Sequence, residues 1–327
     1  MTPASQQPVR LRPIPVPKPW GGKYLGRWIG SPSGLDDPIG ERWEISGLAE
    51  RPSIIEEPGH PFRGKTLPEW VATDPKSILG SPLPTPSKFP LLLKFIDSNR
   101  PLSIQVHPKN PPSGEFPKAE SWVILECEPD SVLYLGFKNP MDRNDIRQRT
   151  LEGTLPDLLQ EIPVHKGDCF FVPPGTVHAI GKGILLAEIQ QSSDTTYRLY
   201  DWGFTDPQGR SRPIHLEEAL ACIDTTPWNN DYLLTSTDSE NGIERLFEGP
   251  PFSVVRYNLD VPPKTSIHSP GRPTLLCAIS GSGRIGWGQE ELLLRAPASI
   301  LIPASCPSVY RIGNDPMTLL SFQPTES

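Results

Sequence analysis

Apolar positions along the 327-residue chain come in short runs closed by proline or glycine, and no long stretch keeps a 3.6-residue period. Runs at 90–97, 102–107, 121–125, 131–137, 168–172 and 184–190 predict strands, and 42–47 (Arg-Trp-Glu-Ile-Ser-Gly) alternates as a strand does. From about residue 240 a second block predicts four more, at 251–261, 274–280, 283–287 and 298–303, and it weakly echoes the first, with 275–283 matching 123–136 and 298–304 matching 168–174. Helix signals are fewer. Thr66-Leu-Pro-Glu69 has the N-cap threonine, the first-turn proline and the glutamate three residues on that start a helix. Similar starts at Thr154 and His215 give helical segments at about 142–162 and 213–223. Many short strands with few helices predict a mainly β chain, a barrel or sandwich rather than a doubly wound sheet. A phosphate-cradling loop and a dinucleotide fingerprint are both missing from it.

Composition supports this picture. The 42 prolines each remove a backbone donor and fix φ, which works against long helices. A hydrophobic fraction of 36% is enough for a packed core, so disorder does not explain the proline. The formal charge of −7 and the lack of a basic run exclude a nucleic-acid footprint. A few cations lining one pocket could still bind an anion, because near charges outweigh the remote average. There is no apolar signal core and no run near the roughly 18 residues of a membrane span, which implies a cytoplasmic protein. Five scattered cysteines without a CxxC pair read as reduced thiols, as that compartment predicts.

Three segments carry candidate chemistry. In Leu102-Ser-Ile-Gln-Val-His-Pro108, Gln105 and His107 lie two apart, so a strand presents both on one face. In Lys118-Ala-Glu120 a carboxylate opens the next strand. The third, Gly167-Asp-Cys-Phe-Phe-Val-Pro-Pro-Gly-Thr-Val-His178, presents a histidine just after a Pro-Gly bend. Gln105, His107, Glu120 and His178 form a mixed oxygen and nitrogen set suited to Zn²⁺ or another first-row divalent ion.

The spacing Gly167-x5-Pro173-x-Gly175-x2-His178 resembles the second cupin motif. Together with Ser103-Ile-Gln-Val-His-Pro108, Lys118-Ala-Glu120 and Glu188-Ile-Gln-Gln-Ser-Ser-Asp-Thr-Thr-Tyr-Arg198, the chain resembles type I phosphomannose isomerases. The short bacterial forms are nearest, through Pro19-Trp-Gly-Gly, Leu92-Leu-Lys-Phe-Ile and Tyr197-Arg-Leu-Tyr-Asp-Trp. The resemblance implies a cupin (jelly-roll barrel) catalytic domain over 10–235 and a second, degenerate cupin-like β domain over 240–327 without a metal site. It also implies interconversion of mannose 6-phosphate and fructose 6-phosphate through an enediol, by an aldose–ketose isomerase. Carried over, Gln105, His107, Glu120 and His178 hold one Zn²⁺ per chain, with another divalent metal as the alternative. Arg198, Glu188 and Lys118 fall on catalytic positions, and Ser103, Lys118, Arg198 and Trp20 on substrate positions. The expected partner is a small sugar phosphate, with neither nucleic acid nor membrane, in a monomer or homodimer. Two departures stand out: Lys182 replaces the cupin asparagine, and Tyr200-Asp-Trp-Gly203 stands where longer enzymes carry a lysine after the arginine. A sugar-binding regulator and a metal-dependent cupin dioxygenase are the competing readings.

Overall fold

The computed structural model describes residues 3–29, 38–81, 88–111, 116–229, 233–234, 239–258, 265–313 and 315–325. It divides into two compact units interleaved in sequence. A terminal unit takes Met1–Ile14, Trp43–Leu93 and Thr235–Ser327, and a central unit takes Pro15–Arg42 and Lys94–Leu234. Residues 43–93 therefore group with the C-terminal block, a division that differs from 10–235 and 240–327.

The central unit is built on antiparallel sheets of jelly-roll type that do not close into a barrel. In a seven-stranded sheet Glu120–Cys127 lies between Cys169–Val172 and Ile184–Gln191, and Leu91–Ser98 follows. A five-stranded sheet orders Tyr197–Tyr200, Ile104–Val106, His178–Ile180, Val132–Phe137 and Leu159–Pro163. Trp122, Ile124, Phe170 and Leu186 of the larger sheet pack with Leu133, Leu135 and Ile180 of the smaller, all fully buried or nearly so. Each such side chain contributes roughly 2–3 kcal/mol of transfer free energy. Predicted strands match to within a few residues.

The helices are shorter than expected in one place. Leu67–Thr73 begins with the full capping box of Thr66 and Glu69, as read from sequence. Leu216–Cys222 likewise falls inside 213–223. The segment 142–162 is not one helix. Arg143–Glu152 ends at Gly153, in the left-handed region at φ 75°, which lets the chain turn out of the helix. A short 3-10 turn, Leu155–Leu158, follows, and Leu159–Pro163 then pairs with Val132–Phe137 as a strand.

In the terminal unit, the strands predicted at 274–280 and 283–287 are one strand, Thr274–Trp287, with a register shift between Ala278 and Ser280. That irregularity bends it from one set of neighbours to the next, so the polar Ser280-Gly-Ser282 reads as a break but is a continuation. The strand expected at 251–261 is Phe252–Tyr257, and residues 259–261 lie outside the described region. Val9–Arg12 pairs with Ala298–Ile302 across most of the sequence, which no local pattern announces.

Candidate active site

The two sheets of the central unit bring the sequence-predicted residues together. Glu120 opens its strand opposite Val172 and Gln190, and His178 pairs in register with Gln105. The Pro-Gly bend is held by Gly175 at φ 93°, whose N–H donates to the His107 carbonyl at 2.8 Å. A side chain there would be strained and would press on Lys109, so the residue type fixes how the chain presents His178.

His107, Glu120 and His178 are buried, and one ligand atom from each lies within 4.8 Å of the others. His107 Nε2 is 3.2 Å from Glu120 Oε1, and His178 Nε2 is 3.7 Å from Glu120 Oε2. Two ligands of one tetrahedral zinc stand about 3.3 Å apart at bond lengths of 2.0–2.1 Å, so these separations suit a shared ion. His107 Nδ1 meets the Thr195 carbonyl and His178 Nδ1 the Thr176 carbonyl, both at 2.9 Å. A carbonyl only accepts, so both rings carry their proton on Nδ1 and turn an Nε2 lone pair inward, the arrangement of metal-ligating histidines. The Gln105 carboxamide lies 3.4 Å from His178 Nε2 and accepts from Ser103 Oγ at 3.3 Å.

The electrostatics point the same way. Burial, with help from the Lys118 charge, pushes His107 down to about 3, so the ring is neutral. Burial also lowers His178. Burial alone would raise Glu120, but the Lys118 ammonium and both imidazoles hold it well below the usual carboxylate range. Lys118 Nζ is 2.9 Å from Glu120 Oε1 and 3.2 Å from His107 Nε2. Neither Glu120 oxygen makes a hydrogen bond among the described residues. Two neutral imidazoles and an ionised, under-satisfied carboxylate fit a divalent cation, and Gln105 can add an oxygen.

These groups line a cavity of 320 Å³ with Ser103, Trp20, Glu188 and Arg198, so it gathers every predicted site residue except His107 and Glu120, which touch its lining. Glu188 is 3% exposed; its Oε2 accepts from Trp122 Nε1 at 3.2 Å and its Oε1 lies 3.3 Å from Lys94 Nζ. Burial and the charge of Glu120 push Glu188 up, to about 7, against the pull of Lys94 and Lys118. Burial would pull Lys94 down, but the carboxylates of Glu188, Glu41, Asp194 and Glu120 more than offset it and leave it raised.

Arg198 forms no ion pair with the nearby Asp201 among the described residues. Asp201 is bound by Arg212, whose Nε donates to Oδ2 at 2.8 Å and whose second nitrogen meets Oδ1. Arg198 instead donates to the Pro213 carbonyl at 2.8 Å, and its buried Nε makes no hydrogen bond among the described residues. Burial and the Arg212 charge lower its proton affinity. Two guanidiniums thus share one cavity. Sequence reading missed Arg212 and Lys94. Lys94 had a signal, a lysine flanked by apolar residues inside the wholly buried strand Leu91–Ser98, whereas Arg212 lies in a polar irregular stretch with none.

Residues 11–131 match the catalytic domain of type I phosphomannose isomerase. The chain is 34% identical over 305 residues to the mannose-6-phosphate isomerase of Streptococcus mutans, covering 91% of this chain and 92% of that one. It is 31% identical over 307 residues to mannose-6-phosphate isomerase ManA of Bacillus subtilis, covering 91% and 93%. The crystal structure of the mannose 6-phosphate isomerase from Bacillus subtilis superposes with a TM-score of 0.86 at 29% identity, over 97% of this chain and 99% of that one. With nine-tenths of both sequences aligned and the predicted ligands, acid and arginine around one cavity, the chain belongs to the type I phosphomannose isomerases, metal-dependent enzymes of the cupin fold.

Proposed function

We propose that the protein interconverts mannose 6-phosphate and fructose 6-phosphate in this cavity, with Gln105, His107, Glu120 and His178 holding one divalent ion, Zn²⁺ by preference. The observation that carries the reading is the buried His107–Glu120–His178 group in the central unit, whose His178 lines the same cavity as Arg198 and Arg212. A regulator would have no use for an ionised carboxylate held among neutral imidazoles, and a dioxygenase no use for paired arginines.

The reaction moves a proton between C2 and C1 of the sugar through an enediol. A bound ion would supply polarisation of the sugar oxygens, which makes a weakly acidic C–H bond easier to break. Glu188 moves the carbon-bound proton: as a carboxylate it accepts from C2, and as an acid it delivers to C1, while a second proton passes from O2 to O1 of the enediol. Its raised proton affinity near 7 matches that two-way task. Lys94, 3.3 Å away, fixes the carboxyl's position and offsets its charge. Lys118 keeps Glu120 ionised and His107 neutral, so it acts beside the ligands. Arg198 and Arg212 take the phosphate, which explains how this chain manages without the lysine of longer relatives. Ser103 and Trp20 line the sugar's path. Among the described residues no helix is long and apolar enough to cross a membrane; we read the protein as a cytoplasmic monomer or homodimer.

A coupled assay of fructose 6-phosphate formation tests this. Activity should vanish on chelation and return with Zn²⁺. Turnover that is indifferent to chelator would overturn the metal assignment.

A further inference from the structure

Inside the terminal unit the strand register repeats that of the central unit. Thr274 opens its strand opposite Ile302, as Glu120 opens its own opposite Val172. Leu276 faces Ser321, as Trp122 faces Glu188. Gln323 Nε2 donates to Thr274 Oγ1 at 2.7 Å, which sets it beside Thr274 as Gln190 is set beside Glu120. Met317 and Leu319 belong to the buried core, and the period of two carries that inward face on to Ser321 and Gln323. In the central unit the same alternation runs Leu186, Glu188, Gln190. Where one unit has two glutamates, the other has threonine and serine.

A cavity of 180 Å³ sits at these positions, lined by His268, Ser321, Gln323, Ser253 and Tyr257 among others. His268 is 2% exposed. Thr274 Oγ1 accepts from Gln323 and also lies 2.6 Å from His268 Nδ1, which fixes the ring's position. A hydrogen bond with the Cys306 backbone raises the ring's proton affinity, while the buried Nε2 has no well-aligned partner among the described residues. A ligand hydroxyl, which can donate or accept, would give that nitrogen a partner. The lining offers hydroxyls, an amide and an imidazole, with the rings of Tyr257 and Phe247 beside them. The only charges it brings, on Arg245 and Glu248, are opposite in sign. That mixture matches a neutral polyhydroxylated molecule and gives a phosphate nothing extra.

The geometry points to a second, non-catalytic pocket in the terminal unit that takes an uncharged monosaccharide or polyol. It does not depend on the isomerase reading, and its test measures no turnover.

The experiment is a titration of the full chain, labelled at its histidine rings, with D-mannose and with D-mannitol, read by NMR after chelation of metal. The His268 signals should shift saturably at millimolar sugar. Tyr257→Phe should weaken binding about two- to tenfold, as loss of one hydrogen bond does, and Ser253→Leu should abolish it by filling the cavity. Inorganic phosphate should leave His268 unmoved. The proposal is overturned if His268 does not respond, as it would not if ordered water alone fills the cavity. A response confined to His107 and His178, or an equal shift with phosphate, overturns it too. Should Ser253→Leu fail to fold, the Tyr257→Phe affinity decides alone.

Discussion

The central and terminal units carry matching strands in matching register, yet they place opposite electrostatics on them. Around Glu120 the central unit buries Glu188, Lys94 and Lys118 together. At the corresponding places the terminal unit has Thr274 and Ser321. A buried carboxylate without partners is unfavourable by several kcal/mol. The central unit offsets this with ammonium groups at 2.9 Å and 3.3 Å and leaves ligand atoms under-satisfied. The terminal unit avoids the problem by placing uncharged side chains at these positions. The scaffold thus tolerates either chemistry, and function is decided by a handful of side chains at fixed register positions.

The sharpest way to break the comparison is to remove a ligand. His178→Ala should lower kcat/KM by roughly three orders of magnitude or more and abolish stoichiometric metal, measured by atomic absorption, while circular dichroism stays near native. Next comes the acid–base group. Glu188→Gln should keep the ion and lose about 10²–10⁴-fold in turnover; a normal rate would remove Glu188 from the proton path. The reverse experiment installs charge in the terminal unit. Thr274→Glu should destabilise the protein by about 3–5 kcal/mol in chemical denaturation without creating a second metal site, because no lysine lines the adjacent cavity among the described residues.

His268 adds a pH dependence. Burial lowers it to about 4 from 6.5, so the folded unit binds fewer protons than the unfolded chain between those values. The stability it contributes is complete above pH 6.5 and falls by up to about 3 kcal/mol as pH drops toward 4. Denaturation midpoints across that range should show the slope, and His268→Gln should flatten it. The smallest effect belongs to the phosphate end. Arg212→Ala should raise KM for the sugar phosphate about 10- to 100-fold with kcat changed less.

The ligands were legible because a strand's period of two places Gln105 and His107 on one face, and because the Pro-Gly bend has a fixed spacing to His178. The echo between the halves was partly legible as well. The match of 298–304 to 168–174 agrees with the observed register, since Ile302 and Val172 hold equivalent places. The other match, of 275 onward to 123 onward, is two residues off, because Leu276 takes the place of Trp122. A slip of two keeps every side chain on its face, so hydropathy alone does not detect it. Arg212 was hidden for a different reason: its stretch is anchored by hydrogen bonds between Arg198 and His215, contacts without periodicity. The interleaving of the units was hidden too, since the pairing of Val9 with Leu301 is set only once the chain has folded.

The most direct test is X-ray absorption at the metal edge on protein stripped of metal and then given Zn²⁺. The account predicts one ion per chain with two imidazole nitrogens and oxygen ligands near 2.0–2.1 Å, and loss of that signal in Glu120→Ala and His107→Ala. An ion retained with the same shell in both variants would contradict it.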